Sequence, residues 1–239
     1  MKSLQVLTPS KKCMFNCPFC ISSSHEHNND FLDNYQNNHQ LWVRNYIEVL
    51  TTYLDLKYVV ITGTNEPMQS PECVLEIVRL TKQYRSDIQV EIQTRDYRQH
   101  PIFDEIDVVA YSISSFSQLS RIKPKGRVSR YTIILTNSFE GKRLNDILGS
   151  IPPSVSQVTF KVLQDSSGYN QEMDLWIEQN SLSEIGKEVL ELEISKYQGD
   201  LSIRYDANCM DANNRYMIFR SDGYLYQDWE TKEKVKKWK

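Results

Sequence analysis

The chain has 239 residues, 40% of them hydrophobic and 25% charged, with a formal net charge of −3. That length and usage allow one large domain or two small ones around a packed core. With only eight Gly and eight Pro the chain is not a repeat or low-complexity protein, and the small net charge supplies no global field for nucleic acid or an anionic membrane. No run approaches the ~18 apolar residues of a membrane span. The N-terminal segment lacks an apolar stretch long enough for a signal peptide.

In chain order, residues 4–8 alternate loosely before Pro9 and read as a short strand. A cysteine-bearing loop follows, and residues 22–40, rich in Ser, His, Asn and Asp, read as a long loop. Leu41, Val43, Tyr46, Ile47, Leu50 and Leu54 have helical spacing. Residues 57–62 form a β-branched buried strand that ends at Gly63. Ser70 then reads as a helix N-cap, with Pro71 at the first helical position and Val74, Ile77, Val78 and Leu80 along the helix.

Residues 88–94 alternate cleanly as a third strand, and a short helix is expected over 100–106. Residues 107–113 and 130–136 are a fourth and a fifth strand, with a helix expected over 116–122 between them. A helix over 142–149 leads to a sixth strand at 156–163. Strands alternating with helical segments imply βα units and a parallel sheet. Right-handed crossovers curl such a sheet into an open barrel. The expected fold class is therefore α/β, a partial (β/α)6 TIM-like barrel over residues 1–170.

After residue 170 the pattern changes. Ser181 and Glu184 have capping-box spacing ahead of a helix through Ile185, Val189, Leu190 and Leu192 that ends near Gly199. Residues 201–205 alternate as a strand. Tyr216 to Phe219 and Tyr224 to Tyr226 flank Ser221-Asp222-Gly223, a hairpin signal. Residues 171–239 are thus expected to be a C-terminal helix-plus-hairpin extension packed on the barrel. The basic tail from Lys232 to Lys239 reads as solvated.

Three of the five cysteines lie in Cys13-Met-Phe-Asn-Cys17-Pro-Phe-Cys20. That clustering is not a disulfide framework. Three soft thiolates suit iron–sulfur chemistry or zinc. Held by three thiolates, a cubane keeps one iron open to an external molecule. Zinc is the alternative, with His25 or His27 completing a Cys3His site in an interaction module. A helical stripe of buried cysteines is a further alternative, opposed by Pro18 within the run. The loop follows the first strand, which places it at the C-terminal strand ends where βα barrels do their chemistry.

The Cys-x3-Cys-x2-Cys spacing, with aromatic Phe19 at the penultimate position, resembles the signature of the radical S-adenosylmethionine (SAM) superfamily. The resemblance implies a [4Fe-4S] cluster on Cys13, Cys17 and Cys20 that chelates SAM and cleaves it reductively. The resulting 5′-deoxyadenosyl radical would abstract hydrogen from a small-molecule or peptide substrate. It also implies an electron donor such as flavodoxin or ferredoxin, and the reducing cytoplasm as location. Phe19 would lie near the adenine. Only two cysteines remain, Cys73 and Cys209, which implies a single cluster.

The family's Gly-Gly-Glu-Pro-like segment has a counterpart in Gly63-Thr64-Asn65-Glu66-Pro67, which would hold the SAM amino group. A plain strand-to-helix turn is the alternative. Thr94, Ser112 and Ser114 end the third and fourth strands, where the family places hydroxyls against SAM; ordinary strand-end residues are the other reading. Arg121 and Lys161 are candidates for the SAM carboxylate, with a surface role as the alternative for Lys161. Cys209 is a candidate hydrogen-atom donor to a substrate radical, as epimerisation needs. Cys73, inside a helix, reads as core.

Overall fold

The computed structural model describes residues 3–9, 13–15, 17, 20, 35–63, 65–162, 164, 165, 168, 169, 176, 179, 194–197, 201–206, 216–227, 229, 234 and 235. Its frame is a ten-stranded sheet. In chain order the strands are β1 (Ser3–Leu7), β2 (Tyr58–Thr62), β3 (Gln89–Thr94), β4 (Val108–Ile113), β5 (Val128–Leu135) and β6 (Gln157–Val162). After the small hairpin β7 (Gln164–Asp165) and β8 (Gly168–Tyr169) come β9 (Ile194–Tyr197), which pairs as a strand where the helix was expected to run on to Gly199, then β10 (Leu201–Asp206), β11 (Tyr216–Phe219) and β12 (Leu225–Tyr226). The spatial order is β12-β11-β1-β2-β3-β4-β5-β6-β10-β9.

Every pair from β11 through β1 to β6 and on to β10 is parallel, and β12 and β9 are antiparallel edges. The fold is therefore mixed α/β around a mostly parallel sheet. The six-strand expectation is corrected in one respect. Strands β10 and β11, both from the last forty residues of the chain, lengthen the parallel sheet to eight at its two ends. The sheet is open, since β12 and β9 do not pair among the described residues.

Among the described residues three α-helices stand in the crossovers: α1 (His39–Thr52), α2 (Pro71–Tyr84) and α3 (Leu144–Gly149). The expected helices over 100–106 and 116–122 are instead 3-10 turns at Pro101–Glu105 and Phe116–Gln118. Pro101 opens the first of these turns, and Pro124 with Gly126 stands between the second and β5. No helix among the described residues is long and apolar enough to cross a membrane.

The side-chain period of two gives the sheet two unlike faces. One face carries Leu4, Val6, Val59, Ile61, Val90, Ile92, Val109, Tyr111, Ile113, Tyr131, Ile133, Val158 and Phe160, all buried. Against it α1 lays Trp42, Tyr46, Val49 and Leu50, and α2 lays Val74, Ile77 and Val78. Trp42 stacks on Tyr46, and both meet Phe219 of β11 with ring centroids 5.4 Å apart. Trp176 joins this core and donates its indole N–H to the carbonyl of Lys142. The opposite face carries Gln5, Glu91, Gln93, Arg130, Gln157 and Lys161, all half-buried.

Polar groups at the helix ends are satisfied locally. The Arg85 guanidinium donates to the carbonyls of Leu50, Tyr53, Leu54 and Leu56 at 3.1–3.3 Å, closing the exposed end of α1. The Tyr46 hydroxyl donates to Thr81 Oγ1 at 2.7 Å, which passes its own hydrogen to the Ile77 carbonyl. The expected hairpin is present as β11–β12. Its Gly223 has φ of 81°, and a Cβ there would come within 3.0 Å of the Trp42 backbone, so glycine is needed on both counts. Cys73 is buried in α2, as its pattern suggested.

Candidate functional site

In a parallel sheet all C-terminal strand ends lie along one edge, and every crossover must leave from it. The cysteine loop leaves β1 at that edge and is pinned there by its neighbours. Met14 N donates to Gln69 Oε1 at 3.0 Å, in the segment after β2. Ser70 stands at the N-cap position of α2, but its hydroxyl does not cap the helix. It donates to the Pro9 carbonyl at 2.5 Å and ties α2 to the start of the cysteine loop. Within the loop, Cys20 N donates to the Cys17 carbonyl at 3.1 Å, forming a turn.

Gly63 begins the segment that follows β2. A Cβ there would meet the Asn65 carbonyl at 2.7 Å, so the tight turn requires glycine. Thr64 and Phe19 lie outside the described residues. Glu66 is only 4% exposed. Its Oε1 accepts the Met68 N–H at 3.1 Å and the Thr94 hydroxyl at 2.5 Å, and its Oε2 accepts the Arg95 N–H at 2.8 Å. Burial pushes the Glu66 carboxyl above its usual range, and the bonds from Thr94, Arg95 and Met68 only partly offset it. The carboxylate is thus a brace between the β2 and β3 ends.

Thr94 lies on the buried side of β3, gives its hydroxyl to Glu66 and accepts Asp96 N–H at 2.9 Å. Asp96 is buried too. Burial raises its carboxyl, but the side-chain and backbone bonds from Arg98 outweigh that and hold it below the usual aspartate range.

The residue that draws the edge together is Arg95, directly after β3. Its Nη1 donates to Cys17 Sγ and its Nη2 to Ser114 Oγ, each at 2.6 Å. Its guanidinium carbon sits 5.9 Å from the Phe15 ring centroid. Tyr97 completes the wall by donating its hydroxyl to the Ser112 carbonyl at 2.5 Å. Burial pushes that phenol up to about 12. Ser114 is anchored in turn, its N–H donating to Gln118 Oε1 at 2.8 Å and its carbonyl accepting the Thr136 hydroxyl at 2.7 Å.

Cys13, Cys17 and Cys20 are thiols outside any disulfide and of intermediate exposure. Burial raises the Cys17 thiol. Arg95 opposes the rise, and charge on Cys20 or Cys13 would add to it. Among the described residues no three His, Cys, Asp or Glu side chains already stand in an arrangement that could hold a metal ion. In kind the donors fit an iron–sulfur cluster, being three thiols on one short loop with a cation on one of them. His25, His27 and Cys209 lie outside the described residues.

The remaining candidates divide. Ser112 and Lys161 lie on the polar face of the sheet, and Lys161 pairs in register with Ile134 and Asp206. Arg121 is exposed in the turn after Phe116–Gln118, and the guanidinium at the cysteine loop belongs to Arg95 instead. Farther along the polar face, Arg130 Nη1 pairs with Glu91 Oε2 at 2.6 Å and Nε donates to Gln157 Oε1 at 2.8 Å. Gln5 Oε1, on that same face, is buried without a hydrogen-bond partner.

Two residues of this edge carried no signal in the motif reading, Arg95 and Tyr97. Their one sequence clue is position, immediately past the end of a strand at the edge where the cysteine loop also lands.

No family model and no curated protein matches this chain. In fold it is similar to a solved structure, native anSMEcpe with bound AdoMet. The TM-score is 0.57 and the sequence identity 12%, over 98% of this chain and 76% of that one. At that identity the likeness is one of fold.

Proposed function

We propose that the chain is a radical SAM enzyme, with a single [4Fe-4S] cluster on Cys13, Cys17 and Cys20. The observation that carries this reading is the junction of Cys17, Arg95 and Ser114 at the C-terminal edge of the parallel sheet. It joins the thiol loop after β1 to the ends of β3 and β4, where a ligand would bridge them. The fold likeness to a structure with bound AdoMet supports the same reading. Held by Cys13, Cys17 and Cys20, such a cluster would supply the one electron needed to split SAM into methionine and a 5′-deoxyadenosyl radical, and that radical would take hydrogen from the substrate.

The protein's part is to place and shield these groups. Phe19 would lie near the adenine, as the resemblance implies. Gly63 and Thr64 offer backbone and hydroxyl oxygens to the SAM ammonium. Glu66 and Thr94 brace that segment, because their polar atoms are already bonded to each other and to backbone. Ser112 and Ser114 supply hydroxyls along the edge. Lys161, on the polar face, supplies a cation. The substrate is a small polar molecule, since the face below the edge carries Glu91, Arg130, Gln157 and Lys161. The electron donor is a flavodoxin or ferredoxin in a reducing cytoplasm.

Anaerobic purification tests the cluster. About four irons per chain with cubane absorption support it. Loss of both in the Cys13→Ala, Cys17→Ala and Cys20→Ala variants completes the assignment. A colourless wild type with one zinc per chain sinks it.

A further inference from the structure

The Arg95 guanidinium is held at several points that converge on one sulfur. Its backbone N–H is fixed by Glu66 Oε2 at 2.8 Å. One prong rests on Ser114 Oγ and the other on Cys17 Sγ, both at 2.6 Å. The Phe15 ring, from the cysteine loop itself, lies 5.9 Å from the guanidinium carbon. A planar fork with both prongs engaged and its backbone braced has little freedom to point elsewhere. Ser114 cannot drift either, because Gln118 and Thr136 hold its own backbone.

We propose that Arg95 is a positioning residue for the iron–sulfur site: it donates a hydrogen bond to the Cys17 sulfur and thereby raises the cluster's reduction potential. This rests on the function proposed above. The physical reasoning is direct. Cluster potentials depend on net charge and on hydrogen bonds to the ligating sulfurs. Reduction adds negative charge to a site that already carries three thiolates. A fixed cation with an N–H on one of those sulfurs favours the reduced form, and groups beyond the ligands tune metal sites in this way. Ser114 acts through Arg95, by aiming the second prong.

The test is the midpoint potential of the full-length protein, measured by EPR-monitored redox titration without SAM. Leaving SAM out separates this role from any pairing of Arg95 with the SAM carboxylate. Wild type, Arg95→Gln, Arg95→Lys and Ser114→Ala are reconstituted anaerobically, and iron is counted in each. The expected result is full iron in all four. The midpoint moves to more negative potential, most in Arg95→Gln and less in Arg95→Lys and Ser114→Ala. An Arg95→Gln protein with full iron and the wild-type potential overturns the proposal. If that variant fails to hold iron, the other two decide: a negative shift supports the role, and unchanged potentials in both overturn it. A wild type that takes no iron removes the function itself, whereas a loaded wild type with unshifted variants removes only this inference.

Discussion

The two faces of the same sheet differ sharply. Strand β5 shows it residue by residue, with Ser129, Tyr131, Ile133 and Leu135 buried and Val128, Arg130, Thr132 and Ile134 half-exposed. The buried face is sealed by α1 and α2 and is almost wholly apolar, so it contributes stability through burial. The other face holds an ion pair, several amides and an unpartnered buried oxygen on Gln5. The difference teaches where substitutions should alter stability and where they should alter chemistry.

The largest effect is expected at the edge both faces share. Cys17→Ala should abolish cluster loading and SAM cleavage while shifting the unfolding of the cluster-free protein by less than ~1 kcal/mol, because the thiol is only half-buried. Iron analysis and denaturant unfolding on the same sample check both halves. On the sealed face, Ile61→Ala should cost about 2–5 kcal/mol through lost burial and the cavity left behind. A loss under ~1 kcal/mol in chemical denaturation would break the contrast between the faces.

On the polar face, Arg130→Met removes a guanidinium bonded to Glu91 and Gln157. We expect a stability loss of about 1–3 kcal/mol, since Glu91 loses a charged partner in a half-buried setting. The smallest effect is a dependence on pH. Asp96 has a folded pKa below its ordinary 3.8, so the unfolded chain binds more protons in that interval. Its contribution is present above 3.8 and is lost as pH falls through the folded value. Asp96→Asn should therefore flatten the acid limb of stability, followed by unfolding from about pH 5 downward through the folded value. Glu66 has the opposite sign. Its folded pKa is raised, so stability declines as pH rises from 4.5 through the folded value.

Much of this frame was legible in the chain. Strands β1 to β6 fall within two residues of their expected bounds, because alternation and β-branched runs mark half-buried strands clearly. The β11–β12 hairpin was legible from Ser221-Asp222-Gly223. What the pattern did not disclose was that β10 and β11 would join the parallel sheet at opposite ends. Strand order depends on which edges remain open, and local sequence does not record that. The helix expected over 116–122 is a 3-10 turn at Phe116–Gln118, closed by the Ser115 and Gln118 capping box.

At the site, the thiol spacing and Gly63 were legible from chemistry and turn geometry. The roles of Glu66 and Arg95 were not. Glu66 is spent on backbone N–H groups and on Thr94, which a motif cannot show. Arg95 matters because its side chain crosses from the end of β3 to loops after β1 and β4. That reach is a property of the assembled edge.

The most direct test of the whole account is reductant-dependent SAM cleavage. Reconstituted full-length protein is incubated anaerobically with SAM and dithionite, and 5′-deoxyadenosine is quantified by chromatography. The account predicts its release by the wild type only when reductant is present, and none from Cys17→Ala. A fully reduced, iron-loaded wild type that leaves SAM intact would contradict it.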